Sequence, residues 1–322
     1  MKRDFTYTDA PPVHGVRGRA ILAAHPEVAS LIGVNRLSAL WIVGLIAVQL
    51  LVAAAAAKVP WWVVVAGAWC FGAFVNHALY VLIHECTHNL VFKSPRWNKL
   101  AGMVCDFALV VPGALGFRKY HLYHHRYLGQ YVLDPDIVSR REARLIGHTP
   151  LRKAVWVFFL AVSQALRPMK LKSLTGIPMW DRWMTANLIV QVIVDVLILA
   201  LLGPRALAYL ALSTLFALGL HPLGGRWIQE HYVTREGQGT YSYYGPLNKL
   251  CFDMGLHNEH HDFPGVPWNR LAQLRRLGNE YYRDLKSYRS WTAVLLKFIF
   301  DPSMSGYSRI ISPDGASSRQ PV

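Results

Sequence analysis

The chain has 322 residues, of which 53% are hydrophobic and only 16% are charged, and Lys and Arg exceed Asp and Glu by 15. Soluble globular proteins carry about 25% charged residues, so this composition indicates an integral membrane protein and excludes an intrinsically disordered one. Because hydrophobic runs divide the basic residues into separate groups, the positive charge does not indicate a nucleic-acid-binding surface.

Residues 1–37 are predicted to form a cytosolic, amphipathic N-terminal segment. Apolar residues from Ile21 to Ile32 alternate with polar and basic ones between Arg17 and Arg36, a pattern typical of a helix that lies on a membrane surface. No apolar stretch follows Lys2 and Arg3, so the pattern of a cleaved signal peptide is missing. Internal spans are therefore expected to direct membrane insertion.

Residues 38–310 are predicted to form a membrane domain. A helix needs about 20 apolar residues to cross the hydrocarbon layer. Four runs approach or reach this length: Ser38 to Ala57, Pro60 to Ile83, Met184 to Leu202 and Ala206 to Leu220. Very short turns join the first to the second and the third to the fourth, so four transmembrane helices in two hairpins are expected.

Two shorter apolar runs, Leu100 to Phe117 and Leu151 to Leu166, have basic residues at both ends. They are predicted to be interfacial or re-entrant helices. Residues 311–322 are rich in polar residues, Gly and Pro and are predicted to be a disordered tail.

The basic residues predict the orientation of the chain in the membrane. Of the 34 Lys and Arg, 32 fall outside the two hairpin turns. The positive-inside rule places these residues, and with them both termini and the loop between the hairpins, in the cytoplasm. The expected location is the inner membrane in a bacterium or the endoplasmic reticulum in a eukaryote.

Gln191 and Asp195 are polar residues within the third predicted span. They are four positions apart and so share one helix face, which we expect to be turned toward the bundle interior. Two roles stay open for them: contact with a polar group of the substrate, or hydrogen bonding between helices.

Nine of the fourteen histidines lie in four short clusters near the ends of the predicted spans, on the cytoplasmic side. These are His84, His88, His121, His124, His125, His231, His257, His260 and His261. Spacings of three and four place imidazoles on one face of a helix. Because nine imidazoles exceed the four ligands that zinc usually takes, two first-row metal ions with four or five nitrogen ligands each are expected.

Other residues near these clusters are candidates for supporting roles. The neighbouring acids are expected either to orient the ligating rings by hydrogen bonding or to be solvated charges at the interface: Glu85, Glu230, Glu259 and Asp262. His77 and His221 are expected to line the pocket or to support the ligands. The remaining histidines are predicted to be solvated surface residues: His14, His25 and His148.

His84 to His88 also fits the H-E-x-x-H motif of zinc proteases. A protease would leave seven other clustered histidines unexplained, and no segment offers a convincing carboxylate as the third ligand. A zinc-binding transporter or sensor is a further alternative, but the predicted spans hold few polar residues for ion passage. Both alternatives are less favoured than an enzyme with two metal ions.

Longer motifs resemble the sphingolipid Δ4-desaturases, or dihydroceramide desaturases, of the membrane fatty-acid desaturase and hydroxylase superfamily. The most specific are TYSYYGPLN at 240–248 and HNEHHDFP at 257–264. Further similar segments are FTYTD at 5–9, DPDI at 134–137 and EYY at 280–282. The resemblance covers residues 5 to 310.

The resemblance implies an all-α membrane protein whose cytosolic helical cap holds a di-iron site, with the nine clustered histidines as ligands of two non-haem iron ions. It implies that O2 and two electrons are used to desaturate the C4–C5 bond of dihydroceramide, giving ceramide. No dinucleotide-binding loop is seen, so an external carrier such as cytochrome b5 with its reductase, or a ferredoxin, is expected to supply the electrons. C4-hydroxylation of the same lipid and desaturation of another acyl lipid stay open, because both begin with the same hydrogen abstraction.

Arg226 departs from the resemblance. Histidine is expected at this position, five residues before His231, in many members of the family. The set of nine ligands is unaffected, but a tenth, supporting imidazole is missing at this position. Whether recognition of the lipid head group also differs stays open.

Overall fold

The computed structural model describes residues 4–10, 13–176, 178 and 180–312, with the side chains of 168–174 left undescribed. The predicted tail therefore lies almost entirely outside the described residues. The chain is mostly helical, as predicted. Its α-helices are α1 (Val13–Ala24), α2 (Leu37–Ala56), α3 (Trp61–Gly67), α4 (Ala73–Thr87), α5 (Pro95–Leu109), α6 (Ala114–Arg126), α7 (Arg140–Ile146), α8 (Pro150–Phe158), α9 (Leu160–Thr175), α10 (Arg182–Leu202), α11 (Pro204–Leu218), α12 (Gly225–His231), α13 (His257–Asp262), α14 (Trp268–Leu277), α15 (Asn279–Tyr282) and α16 (Trp291–Phe300).

Within the described residues, three helical stretches are long and apolar enough to cross a membrane: Leu37–Ala56, Trp61–Thr87 and Arg182–Leu202. They match the first three predicted spans. Two bent helix pairs also qualify if each pair is counted as one span: Pro95–Leu109 with Ala114–Arg126, bent by 119°, and Pro204–Leu218 with Pro222–His231, bent by 42°. The fourth predicted span forms the first part of the second bent pair.

The sharper bend, between α5 and α6, falls inside Leu100 to Phe117, one of the two runs that were predicted to be interfacial or re-entrant. Helix α5 ends because Val110 has a left-handed backbone, with φ of 53°, and Pro112 follows it. The chain then turns back into α6. This reversal brings the histidines of α6 to the end of α4.

A hydrophobic core joins α2, α4, α5, α10 and α11 into one bundle. At its centre Asn76 donates to Thr214 Oγ1 at 2.8 Å and accepts from Gln49 Nε2 at 2.7 Å. The outward faces of α2 and α10 remain apolar and exposed, with Leu51 and Leu201 among the exposed side chains. Apolar faces of this length are typical of helices that contact lipid.

The N-terminal segment packs on the C-terminal half of the chain. The predicted amphipathic helix is interrupted at Pro26, so that α1 is followed by a 3-10 helix, Pro26–Leu31. Its apolar side chains Ile21, Val28 and Leu31 are buried against the chain's own helices α13 and α14 and their connections. Gly18 allows the closest approach, because a Cβ there would lie 2.9 Å from the Asp262 carbonyl oxygen.

In the part of the chain that the structure describes, two short parallel strand pairs join segments that are distant in sequence. Strand β1 (Thr6–Tyr7) pairs with β4 (Ile310–Ile311), and β2 (Ser242–Tyr243) pairs with β3 (Ser287–Tyr288). The first pair fastens the N-terminus to the C-terminal end of the described chain, and the second lies beside α13. The second pair therefore packs beside the helix that carries His257, His260 and His261.

Candidate metal centre

Five of the predicted histidines converge from three helices. His84 lies in the last turn of α4 and His88 caps it, His121 and His125 are on α6, and His260 is on α13. One nitrogen from each ring lies within 4.8 Å of the others. His125 Nε2 is 3.0 Å from His121 Nε2 and 3.1 Å from His260 Nε2. We refer to these residues as the five-histidine group.

The other four histidines form a second group beside the first. His124, His231 and His261 place nitrogens within 4.8 Å of one another. His257 joins them, because its Nε2 lies 3.0 Å from His231 Nε2 and 3.1 Å from His261 Nε2. His124 Nε2 is 3.1 Å from His231 Nε2. We refer to these residues as the four-histidine group, and the two groups together contain all nine predicted ligands.

The spacing of the rings suits coordination of metal ions. Two nitrogens bound to one ion at about 2.1 Å and at right angles are about 3.0 Å apart, which matches the Nε2 separations in both groups. Both nitrogens of His84 and Nε2 of His88 are buried without a hydrogen-bond partner among the described residues. A buried nitrogen without a partner is costly unless something else, such as a metal ion, binds it.

The protonation of the histidine cluster on α13 also suits metal binding. Burial lowers the pKa of His257, His260 and His261 well below the usual value for histidine. These rings are therefore neutral near pH 7, and metal ions bind the neutral form of imidazole.

Asp134 contacts one of the predicted ligands, and the histidine spacing did not reveal it. Its Oδ1 lies 2.9 Å from His124 Nδ1, and its Oδ2 accepts from the Gly129 backbone nitrogen at 2.9 Å. A carboxylate on the outer nitrogen of a ligating histidine fixes the ring's orientation and tautomer. The only signal in the sequence was the DPDI segment, which contributed to the family resemblance without a residue role.

The four predicted acids make different contacts from one another. Glu230 Oε1 accepts from Arg226 Nε at 2.7 Å and lies 3.7 Å from His257 Nδ1. Glu259 accepts from Ser242 Oγ at 2.6 Å and from Tyr244 OH at 2.7 Å.

Glu85 accepts from the Trp268 backbone nitrogen at 3.1 Å, and Asp262 accepts from Arg17 Nε at 2.6 Å. Among the described residues, Glu230 is thus the one acid of the four that contacts an imidazole of the five-histidine or four-histidine group. The other three hold surrounding segments in place.

The prediction that His14 is a solvated surface residue was wrong. His14 is buried, its Nδ1 lies 2.7 Å from Asp262 Oδ1, and its ring centre is 4.9 Å from that of His261. Its Nε2 lies 2.9 Å from Thr240 Oγ1. Sequence spacing gave no signal, because His14 is brought to the site from the N-terminal helix by tertiary packing.

His77 and His221 lie outside both histidine groups. His77 Nδ1 donates to the Ala217 carbonyl oxygen at 3.0 Å, while His221 accepts from the Leu223 backbone nitrogen and packs edge-on against Trp69. Gln191 donates to Asp195 Oδ1 at 2.8 Å along α10.

A small cavity adjoins both histidine groups. Histidines from each group contribute to its wall, next to the charged side chains Arg226, Glu230 and Asp136. Phe117, Trp227 and Met254 supply apolar wall. A cavity with apolar walls, a few polar side chains and possible metal ligands is the usual form of a small-molecule site.

Comparison with known proteins identifies the chain. A model of the fatty acid desaturase family matches residues 60–292, and a model described as Sphingolipid Delta4-desaturase matches residues 1–37. A sphingolipid delta(4)-desaturase DES1-like protein of Oryza sativa subsp. japonica is 42% identical over 96% of this chain and 93% of its own length. The chain belongs to the sphingolipid Δ4-desaturase family.

Animal relatives are nearly as similar. Sphingolipid delta(4)-desaturase DES1 of Drosophila melanogaster is 38% identical, and that of Homo sapiens is 39% identical, each over 95% of this chain and 94% of the relative. The predicted family and the predicted class of enzyme, an oxidoreductase of the fatty acid desaturase superfamily, are confirmed. Desaturation is thereby favoured over the hydroxylase, protease and transporter alternatives.

Proposed function

We propose that this desaturase converts dihydroceramide to ceramide by forming the C4–C5 double bond of the long-chain base. The observation that carries the proposal is that both histidine groups contribute to one cavity whose wall also holds polar side chains. The relatives named above support the lipid class. The cavity then binds the polar end of the lipid beside the nitrogens that hold the metal.

The nine histidines are proposed to hold two iron ions, one in each group. With O2 and two external electrons, bound iron supplies the oxidising power needed to remove hydrogen from an unactivated carbon. The protein positions the substrate and the ligands. Asp134 holds the ring of His124, while Phe117, Trp227 and Met254 pack against the apolar part of the lipid and exclude water.

Four membrane spans are proposed, in two hairpins, with both termini and all histidine clusters in the cytoplasm. The three long apolar helices and the apolar helix α11 support this arrangement, as does the distribution of 32 of the 34 basic residues on one side. Residues 1–37 form the cytosolic N-terminal segment and residues 38–310 the membrane domain. The inner bacterial membrane or the endoplasmic reticulum is the proposed location.

The electron donor is proposed to be an acidic carrier, cytochrome b5 with its reductase or a ferredoxin. The excess of 15 basic residues supports this choice, because opposite charges steer a carrier to the cytoplasmic face. The substrate and the carrier then approach from different sides, the lipid from the bilayer and the electrons from the aqueous phase.

The test is mass spectrometry of lipids from a host that makes dihydroceramide and has no desaturase of its own, with and without this protein. Loss of two hydrogen atoms from the long-chain base is the expected result. Gain of one oxygen atom would instead identify a hydroxylase. Unchanged lipids, with iron-loaded protein and an electron donor present, would contradict the proposed function.

A further inference from the structure

Arg226 is a buried cation with an unused hydrogen-bond donor in the cavity wall. It lies near the start of α12 and is only 2% exposed. Its Nε donates to Glu230 Oε1 at 2.7 Å, and its guanidinium carbon lies 4.6 Å from the centre of the Trp227 ring. Nη1 has no hydrogen-bond partner among the described residues. Because a buried donor without a partner is unfavourable, a ligand that accepts a hydrogen bond is expected there.

Arg226 and Glu230 together offer a donor and an acceptor side by side. One carboxylate oxygen of Glu230 is engaged by Arg226 Nε, which leaves further acceptor capacity on the carboxylate. A hydroxyl group both donates and accepts a hydrogen bond, whereas a carbonyl or phosphate oxygen only accepts. The pair is therefore complementary to a hydroxyl group.

The proposed substrate carries a hydroxyl group next to a reacting carbon. In dihydroceramide C4, one of the two reacting carbons, is bonded directly to C3, which carries a hydroxyl. Any pose that brings C4 to the histidine groups also brings this hydroxyl close to them. His84, His231 and His257 line the same cavity as Arg226 and Glu230, so a hydroxyl group bound to this pair would lie next to the histidine groups.

We propose that Arg226 and Glu230 bind the C3 hydroxyl of the sphingolipid base, with Arg226 Nη1 donating to the oxygen and the Glu230 carboxylate accepting the hydrogen. This inference rests on the proposed function, since it requires a lipid that reacts at C4. The pair determines specificity, because a lipid without the hydroxyl leaves a buried donor and acceptor unpaired. It also fixes the distance between the head group and the reacting carbons.

The test measures binding in the absence of turnover. The iron-loaded full chain in lipid nanodiscs is titrated without O2 with dihydroceramide and with its 3-deoxy analogue. Wild type is expected to bind dihydroceramide at least about tenfold more tightly, the size of effect typical of a hydrogen bond to a charged group. Arg226→Met is expected to lose that preference while its Kd for the 3-deoxy lipid stays within about twofold of wild type.

Two further measurements separate this role from a structural one. The 3-keto analogue accepts a hydrogen bond but does not donate one. Wild type and Glu230→Gln should therefore both bind it more tightly than the 3-deoxy lipid, whereas an Arg226 variant should not. If Arg226→Met does not fold or does not retain iron, Arg226→Lys replaces it. That variant keeps the positive charge beside Glu230 but lacks the second arm of the guanidinium, and it should lose most of the preference.

Equal binding of dihydroceramide and the 3-deoxy lipid by wild type would overturn the inference. So would an Arg226 variant that weakens both lipids by the same factor, since that result describes a general disturbance of the cavity. Turnover is measured in parallel. If wild type prefers dihydroceramide over the 3-deoxy lipid but forms no double bond, the proposed function alone is contradicted. If wild type forms the double bond but binds both lipids equally, only this inference is contradicted.

Discussion

His14 Nδ1 lies 2.7 Å from Asp262 Oδ1, which joins the N-terminal helix α1 to the residue that follows the last histidine of the four-histidine group. Arg17 reinforces the contact, with Nε 2.6 Å from Asp262 Oδ2. The side chain of Asp262 is completely buried. The N-terminal segment is therefore a structural support of the candidate metal centre as well as a neighbour of the membrane domain.

Replacing His14 by alanine should destabilise the histidine cluster on α13, His257 to His261. The substitution removes a bond to a buried carboxylate, and leaving a buried polar group short of a partner costs about 1–3 kcal/mol. We expect a lower unfolding temperature and a reduced iron content. His148→Ala is the control, because His148 contacts the Pro302 carbonyl oxygen away from the site. If the two variants behave alike, His14 does not support the centre.

Gly18→Ala should separate α1 from α13. A Cβ at residue 18 would lie 2.9 Å from the backbone oxygen of Asp262, which has little freedom to move. We expect destabilisation of about 1–3 kcal/mol, as is typical of overpacking. The matched control is Gly15→Ala on the same helix, where the nearest atom is the flexible Arg19 Nη1 at 3.6 Å. Gly15→Ala should be neutral or slightly stabilising by its helix propensity. If the two substitutions change the unfolding temperature equally, close packing against Asp262 does not explain the glycine at position 18.

Single histidine substitutions should remove the two irons separately. His260→Ala takes one ligand from the five-histidine group, and His231→Ala takes one from the four-histidine group. Each should lower the iron content from two ions toward one and abolish turnover, because two metals act together. Iron analysis of the purified variants, with His148→Ala as control, measures this. Retention of both ions and of activity in either variant would contradict the assignment of ligands.

The contact between His25, which follows α1, and α15 should make stability depend on pH. His25 Nε2 lies 2.5 Å from Glu280 Oε1, and its Nδ1 is 3.6 Å from Glu27. The hydrogen bond to Glu280 raises the pKa of His25, and the same bond lowers the pKa of Glu280.

The stabilisation from His25 is complete below the pKa that His25 has in the unfolded chain, and it is lost as the pH rises through the raised pKa of the folded protein. The stabilisation from Glu280 is present above the pKa that Glu280 has in the unfolded chain, and it is lost as the pH falls through the lowered pKa of the folded protein. The pair should therefore stabilise the protein most between about pH 4.5 and pH 6.5. The difference in unfolding temperature between wild type and His25→Gln should be largest there. A difference that does not vary with pH would contradict this ionic contribution.

Asp195→Asn distinguishes two locations for the polar end of the substrate. The sequence placed Gln191 and Asp195 as candidate contacts for it, and this stays a prediction. Since the two residues bond to each other and neither is among the residues that line the cavity, we expect the Kd for dihydroceramide to stay within about twofold of wild type. A clear rise in Kd would favour contact with Asp195 over contact with Arg226 and Glu230.

The sequence by itself determined the helical membrane class, the family and the nine clustered histidines. These signals are local: apolar runs report the length of a span, and spacings of three and four report one helix face. His121 and His125, which are four residues apart on α6 and share one helix face, lie in one group.

Only the tertiary structure decided how the clusters divide between two groups and which side chains support them. His124 and His125 are neighbours in sequence but belong to different groups, because successive residues of a helix point about 100° apart. His14 meets Asp262 across 248 positions, Asp134 contacts His124 from a loop, and Arg226 Nη1 is buried without a hydrogen-bond partner among the described residues. Such relationships depend on packing between distant segments, which periodicity within one segment does not encode.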